Sequence, residues 1–418
     1  MVKSKPLFLM EEIGEGEMSH NCICHGDNKV FMKTLLDEYH MKEKINMIYI
    51  DPPFFSKSDY DAVLKAGDQN IRHLAYADKW EKGLNEYLRM CSGRLMMMKE
   101  LLADDGLIWV HLDWHVVHYV KILMDEIFGE KNFINEIIWN YKSGGTSKRH
   151  FSRKHDTILV YSKTGKYRFY PLEEKSYNRQ LKPYRFKGVK EYKDETGWYT
   201  MVNMKDVWNI DMVGRTSSER TGYATQKPEQ LLERIINAST EEGDVVADFF
   251  CGSGTLPAVA SKAGRHFIGC DMSKLAVEST AARLSDIGAS FAVYDFSDEE
   301  KPQFQPDLKF AYEDIPGTEN KLLRIELLGI KSKGMIRKVE KKSKGTVKQI
   351  LKEDSVQMVG GWSIDFGYNG KVHRPDVIFS RNSGKLETVH EKIYSGKMQV
   401  SIKVVDIFGN AVYERGVL

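Results

Sequence analysis

Long apolar runs are missing from this 418-residue chain, and none reaches the roughly 18 residues a membrane span needs. The N-terminus carries no signal-peptide pattern. Both absences lead us to expect a soluble, cytoplasmic protein with no membrane partner. Cysteine is scarce: five residues, an odd number without framework spacing, exclude a disulfide scaffold and suit a reducing compartment. Cys22 and Cys24 form a C-x-C pair, but no second pair stands at zinc-ligand spacing, so no metal is expected. The Gly-Lys-Ser/Thr of a phosphate loop is absent. The net charge of +2 identifies no partner, although its distribution is uneven. What is present is enough for a sizeable folded core: 42% hydrophobic residues, with 29% charged.

Read along the chain, the pattern is alternating strand and helix. A short strand at Cys22 to His25 leads through Gly26-Asp27 into a helix ending near Tyr39. The apolar run Ile45 to Ile50 is a buried parallel strand that stops at Asp51-Pro52-Pro53-Phe54. Phe55 to Lys79 has no clear period and reads as a long mobile loop. A helix from Leu84 to Leu102, a strand from Leu107 to Leu112 and a helix from His115 to Phe128 follow. Strands at Asn135 to Tyr141 and Asp156 to Tyr161 flank a basic segment and suggest an antiparallel edge. Residues 163–222 are rich in aromatics, and their thirteen basic against eight acidic side chains mark an insert. Alternation resumes with a helix at Pro228 to Ser239, a strand at Val245 to Phe250 and a helix at Thr255 to Ala263. A strand at His266 to Asp271 and a helix at Lys274 to Leu284 complete it. From about residue 300 the rhythm is one of short strands with Gly and Asn turns, around a basic run from Lys331 to Lys348. We expect domains at 1–299, with 163–222 inserted, and a separate β-rich appendage at 300–418.

Two motifs carry chemistry. Asp248-Phe249-Phe250-Cys251-Gly252-Ser253-Gly254-Thr255 lies between strand and helix, where paired glycines let a ligand approach the backbone. Asp271 ends the next strand, placed either to accept ribose hydroxyls or to cap the helix near Ser273. Asp51-Pro52-Pro53-Phe54 is the more informative: the prolines fix a rigid turn at the carboxyl end of a buried strand. The Asp51 carboxylate and Pro52 carbonyl can accept two N–H bonds from an amino-substituted base, while Phe54 stacks on its ring. Two such acceptors localise the lone pair of an otherwise delocalised exocyclic amine and stabilise charge developing on it. No Pro-Cys dipeptide offers a nucleophile for cytosine-C5 methylation.

In order along the chain these motifs, with Thr225-Gln226-Lys227-Pro228 between them, resemble the bacterial DNA amino-methyltransferases of the circularly permuted β class. The resemblance covers about residues 21–284. It implies a doubly wound Rossmann-like α/β sheet of roughly seven strands with a reversed edge hairpin, a target-recognition insert and S-adenosylmethionine as cofactor. It also implies that Asp27 and Asn28 belong to a turn contacting the cofactor adenine, and that the helix after Lys227-Pro228 flanks its methionine end. Asp248, Phe249, Cys251, Gly252, Ser253, Gly254, Thr255 and Asp271 complete the cofactor site. Asp at position 51, where many cytosine-N4 enzymes carry Ser, points to adenine N6; Phe54 replaces the commoner Tyr. Double-stranded DNA is the implied substrate in a bacterial cytoplasm, with a homodimer and an accompanying restriction subunit both compatible. Rival readings are a cytosine-N4 or RNA methyltransferase and a non-catalytic DNA-binding subunit.

A target base is out of reach inside a duplex, so flipping is expected. Candidate DNA contacts are the loop 55–79, which could close over the flipped base, Lys142, Lys148, Arg149, Arg153 and Lys154 in the basic segment, and Arg179, Arg185 and Arg215 in the insert. His111, Asp113, His115 and His118 invite a metal reading, but they follow a strand at the same sheet edge as Asp51. A role at the site mouth or in helix capping is expected instead.

Overall fold

The computed structural model describes residues 2–14, 21–143, 145–214, 216–223, 225–296, 303–381 and 385–417. Strands of the first part are Phe8–Ile13 (β1), Cys22–His25 (β2), Ile45–Ile50 (β3), Asp59–Ala66 (β4), Gln69–Ala77 (β5), Leu102–Leu112 (β6), Phe133–Asn140 (β7) and His155–Ser162 (β8). Glu173–Tyr177 (β9), Tyr192–Lys193 (β10), Trp198–Asn203 (β11) and Val207–Asn209 (β12) belong to the insert. Val245–Asp248 (β13), His266–Asp271 (β14) and Phe291–Asp295 (β15) follow. The helices are Asn28–Asp37 (α1), Leu84–Leu101 (α2), Val117–Phe128 (α3), Glu229–Ser239 (α4), Thr255–Lys262 (α5) and Lys274–Asp286 (α6).

Ten strands form one sheet in the order β1-β15-β2-β14-β13-β3-β6-β8-β7-β12. From β15 to β6 every neighbour is parallel, whereas β8 runs against both β6 and β7. This is the expected reversed edge, but the sheet exceeds seven strands because β1 and β15 extend one side and β12 the other. The central strands are apolar on both faces because helices cover both. Phe31 of α1, Leu95 of α2 and Val120 of α3 pack on one face; Ile235 of α4, Val259 of α5 and Leu284 of α6 pack on the other. β3 and β13 are neighbours, and the chain winds away from them in opposite directions, opening a crevice at their carboxyl ends. Asp51 and Asp248 both stand there.

The remaining strands are Phe304–Asp314 (β16), Asn320–Ser332 (β17), Val359–Asp365 (β18), Val377–Ser380 (β19), Val389–Ser395 (β20), Gln399–Asp406 (β21) and Ala411–Val417 (β22). They form sheets β16-β17-β20 and β19-β18-β21-β22, packed with a helix at Lys344–Glu353 through Leu323, Ile325, Val347, Trp362 and Ile402. Lys344 and Lys348 of the basic run therefore lie on an amphipathic helix whose Val347 and Ile350 are buried. These sheets touch the ten-stranded sheet through a buried ion triad: Lys403 on β21 meets Glu11 of β1 at 2.5 Å and Glu278 of α6 at 3.0 Å. Burial works against the Lys403 charge, but the two carboxylates win and hold its pKa well above the usual lysine value.

The segment 55–79, expected as a mobile loop, is a hairpin of β4 and β5. A Gly67-Asp68 turn closes it, with Gly67 at φ +57°. Its buried residues Ala62, Ala66 and Ala75 are small, the large ones being Ile71 and, opposite it and only partly buried, Leu64, so the alternation was too faint to read as a strand signal. Ala66 and Ile71 sit in the C-terminal core; Ala62 and Ala75 pack with Tyr223, Leu275 and Ala276.

Candidate active site

The crevice holds a cavity of about 570 Å³ lined from β3 and β13, the hairpin, the Gly252 turn and the segment before α4. At its floor Asp51 makes an ion pair through Oδ2 with Lys227, both side chains being mostly buried. Its other oxygen, Oδ1, is buried and has no hydrogen-bond partner. An unpaired buried acceptor is costly, as is the desolvation of a near-buried ion pair, so this arrangement is not one selected for stability. It leaves one carboxylate oxygen ready for a donor, its partner oxygen fixed by Lys227.

Phe54 is backed by a network that the sequence reading missed. Its ring lies 5.8 Å from that of His111, which in turn meets Trp139 edge-on at 5.3 Å. His111 is fully buried on β6 and bridges the Tyr49 hydroxyl (Nδ1, 2.9 Å) and Asp156 (Nε2, 3.2 Å). Tyr141 donates to the other Asp156 oxygen at 3.2 Å. Burial would raise the Asp156 pKa, but the His111 bond and the nearby Lys227 charge hold it below the usual carboxylate range. An ionised Asp156 only accepts, so Nε2 carries the proton towards it. Burial pushes the Tyr49 phenol at Nδ1 well up, which keeps the hydroxyl protonated. His111 is thus a rigid support behind Phe54, while Asp113 turns to His115, accepting its backbone N–H at 2.9 Å and meeting Nδ1 at 2.6 Å.

The Gly252 turn is shaped for close approach. Gly252 and Gly254 have φ of +51° and +69°, and a Cβ on Gly254 would stand 2.4 Å from Thr280. Asp271 accepts the Gly252 and Ser273 backbone N–H groups at 2.9 and 2.8 Å, one on each oxygen. Each oxygen keeps a further lone pair, so stabilising the turn does not exhaust it. Ser273 itself caps α6. Burial raises the Asp271 pKa against these two bonds. Burial likewise pushes Asp248 well above the usual range, with Asp51 and Asp271 adding to the effect. Three carboxyls at the ends of adjacent strands thus share one crevice.

Asn28 lines the cavity and donates to the Phe249 carbonyl at 2.6 Å, tying α1 to the Gly turn. Asp27 lies behind it, capping α1 and meeting Arg94 at 3.1 Å; Arg94 also donates to Asn28 at 2.5 Å. Arg94, Trp80, Tyr76 and Tyr223 line the cavity without having been expected, since each comes from a segment with no motif. The Lys227 carbonyl accepts from Thr255 at 3.1 Å, linking the Thr225 to Pro228 segment to α5. Asp51, Pro53, Lys227, Asp248, Phe249, Cys251, Gly252, Ser253, Thr255 and Asp271 therefore converge on one cavity, with Pro52, Phe54, Pro228 and Gly254 beside or behind its wall.

The basic side chains proposed as DNA contacts do not line the cavity, whereas Leu74 to Ala77 of the 55–79 segment do. Lys148, Arg149 and Arg153 are exposed between β7 and β8, and Arg153 lies over the Trp114 ring at 3.8 Å. Lys154 donates to the carbonyls of Lys142 and Ser143 at 3.3 and 3.0 Å. Arg179 and Arg185 are exposed in the insert, whose β9, β10 and β11 form a small sheet. Arg215 lies outside the described residues.

Comparison with known proteins identifies the family. A family model for DNA methylases of the N6/N4 type matches residues 45–282, more than half of the chain. Type II methyltransferase M2.DpnII of Streptococcus pneumoniae is 31% identical over 268 residues, covering 63% of this chain and 88% of that protein. Among solved structures, the PvuII cytosine-N4-specific DNA methyltransferase shares 17% identity at a TM-score of 0.43, covering 68% of this chain and 90% of its own. M1.HpyAVI, solved as a complex with S-adenosylmethionine, shares 18% at a TM-score of 0.39, covering 63% and 98%. The chain belongs to the DNA methylase family and is an S-adenosylmethionine-dependent DNA methyltransferase.

Proposed function

We propose that the enzyme methylates N6 of a flipped adenine in double-stranded DNA, with Asp51, Pro52, Pro53 and Phe54 as its catalytic segment. The observation that carries this is the buried, unpartnered Oδ1 of Asp51, a residue that lines the cavity. That oxygen accepts one N–H of the target amine and the Pro52 carbonyl the other. Lone-pair density is thereby localised on nitrogen, and positive charge growing there is met by a carboxylate already in position. Lys227 keeps Oδ2 occupied, so Oδ1 is the oxygen that turns to the base. Phe54, supported by His111 and Trp139, supplies the stacking face. Asp at position 51 favours adenine over cytosine N4.

The cavity walls fit the cofactor, being of the size expected for a nucleoside ligand. Asp271 is placed for ribose hydroxyls; Asp248, Phe249, Cys251, Gly252, Ser253, Gly254 and Thr255 form the turn beneath. Asn28, held by Arg94 and Asp27, borders the adenine end, and Lys227-Pro228 the methionine end. When bound, S-adenosylmethionine supplies an electrophilic methyl group on its sulfonium. The chain order, with β3 preceding its sheet neighbour β13, supports the circularly permuted class. We take 1–299 as the catalytic domain, 163–222 as target recognition and 300–418 as the support of the β4–β5 hairpin. By resemblance the proposal extends to a cytoplasmic location, a homodimer and an accompanying restriction endonuclease. Asp51→Ala should abolish methyl transfer while calorimetry shows cofactor binding retained; residual transfer above about 1% of wild type would overturn the role of Asp51.

A further inference from the structure

One apolar side chain has a setting that neither the core nor the cavity explains. Phe151 is 98% exposed, in a segment whose other large side chains are basic. A single exposed apolar residue is ordinary on a protein surface. Here, however, the segment around it is held in shape by its own hydrogen bonds. Ser147 Oγ accepts the backbone N–H groups of Arg149 and His150 at 3.2 and 3.3 Å. The Ser147 backbone N–H donates to Ser152 at 3.2 Å, and the His150 ring meets the Phe151 carbonyl at 2.8 Å. Phe151 is therefore presented outward from an organised turn, with Lys148, Arg149 and Arg153 around it.

The base of this turn connects to the catalytic segment. β7 runs parallel to β6 because both oppose β8, so the chain leaves β7 on the sheet edge that carries Asp51. The Tyr141 backbone N–H donates to the Lys154 carbonyl at 2.9 Å, closing the loop. Tyr141 also binds Asp156, which holds the His111 that backs Phe54. Arg153 is stacked on Trp114, just beyond the end of β6.

We propose that Phe151 enters the DNA base stack at the place the target nucleotide vacates. The surrounding basic side chains would bind the phosphates on either side and bring the ring to the duplex. An aromatic ring stacks on bases of any sequence, and inserted apolar side chains offset the unstacking that base extrusion requires. The proposal rests on the reading of the basic segment as a DNA contact, and the test separates the two.

The substrate is a duplex oligonucleotide containing a site that the wild-type enzyme methylates in plasmid DNA, in two forms. In one the target base is paired; in the other it lies opposite an abasic position and needs no extrusion from a pair. Phe151→Ala should lower kcat/KM on the paired duplex by about tenfold or more, with near wild-type values on the abasic duplex. Phe151→Trp should retain activity on both. Unchanged activity of Phe151→Ala on the paired duplex, or equal loss on both duplexes, would overturn the wedge. The double variant Arg149→Glu/Arg153→Glu tests the underlying reading: plasmid binding equal to wild type would remove the basic segment from the DNA interface.

Discussion

The β4–β5 hairpin and the segment 145–154 both border the catalytic edge of the sheet, and they are built on opposite plans. The hairpin is held at both ends: Leu74 to Ala77 line the cavity, while Ala66 and Ile71 are buried in the C-terminal core. His73 packs on Phe408 at 5.0 Å, and Ser343 donates to the Arg72 carbonyl at 3.4 Å. The segment 145–154 has no such anchorage at its tip; it keeps its shape through local hydrogen bonds and leaves charge and one ring in solvent. The first is a wall whose position depends on tertiary packing, the second a surface for which we propose DNA as the partner. Each plan responds differently to substitution.

The largest effect is expected at the hairpin anchor. Ile71→Ala removes a fully buried side chain and should cost about 2–5 kcal/mol in denaturant unfolding. Because the hairpin lines the cavity, cofactor affinity should fall as well; stability loss with unchanged affinity would separate the wall from the site.

Acid should weaken a second contact of the C-terminal sheets, the one with β1. His373 contacts Ser363 and Ser401 within the C-terminal sheets, and its carbonyl accepts from Glu12 of β1 at 3.0 Å. Burial, helped by Lys403 and Arg415, lowers its pKa to about 3. The unfolded chain, with a histidine near its ordinary value, binds the proton first. This contribution to stability is therefore full above about pH 6.5 and is lost as pH falls towards 3, by up to about 1.4 kcal/mol per unit. Asp406, raised by burial to about 6, acts in the opposite direction, so the comparison must be with His373→Gln, which leaves Asp406 unchanged. The stability advantage of wild type over this variant should shrink between pH 7 and pH 5; a constant difference would contradict the assignment.

At the basic segment the expected changes concern binding. Arg149→Glu/Arg153→Glu should weaken plasmid binding and lower the slope of log affinity against log salt by about 2, with cofactor affinity unchanged. Phe151→Ala should alter unfolding stability by no more than about 0.5 kcal/mol, the smallest effect of the series. A larger loss would mean that the ring packs in the folded protein after all.

The same contrast explains what could be read from the sequence. The strands β3 and β14 and the helices α2 and α4 were legible because their apolar patterns are strong and their ends are marked by Pro, Gly or Asp. The catalytic and cofactor segments were legible because rigid turns at strand ends leave a local signature. The hairpin was not, since alanines do much of its inward packing and its core partners lie in distant parts of the chain. Nor was the Tyr49–His111–Asp156–Tyr141 network, which joins three strand positions and the residue just after β7 through register alone. Arg94 was missed for a related reason: on α2 it sits among residues of ordinary helical pattern, and only packing brings it to Asp27 and Asn28.

The most direct test of the proposed chemistry is to incubate the enzyme with methyl-labelled S-adenosylmethionine and unmethylated plasmid DNA, digest to nucleosides and identify the labelled base by mass spectrometry. Label in N6-methyladenine is the expected result. Label in N4-methylcytosine would keep the geometry at Asp51 but contradict the assignment of adenine as the target.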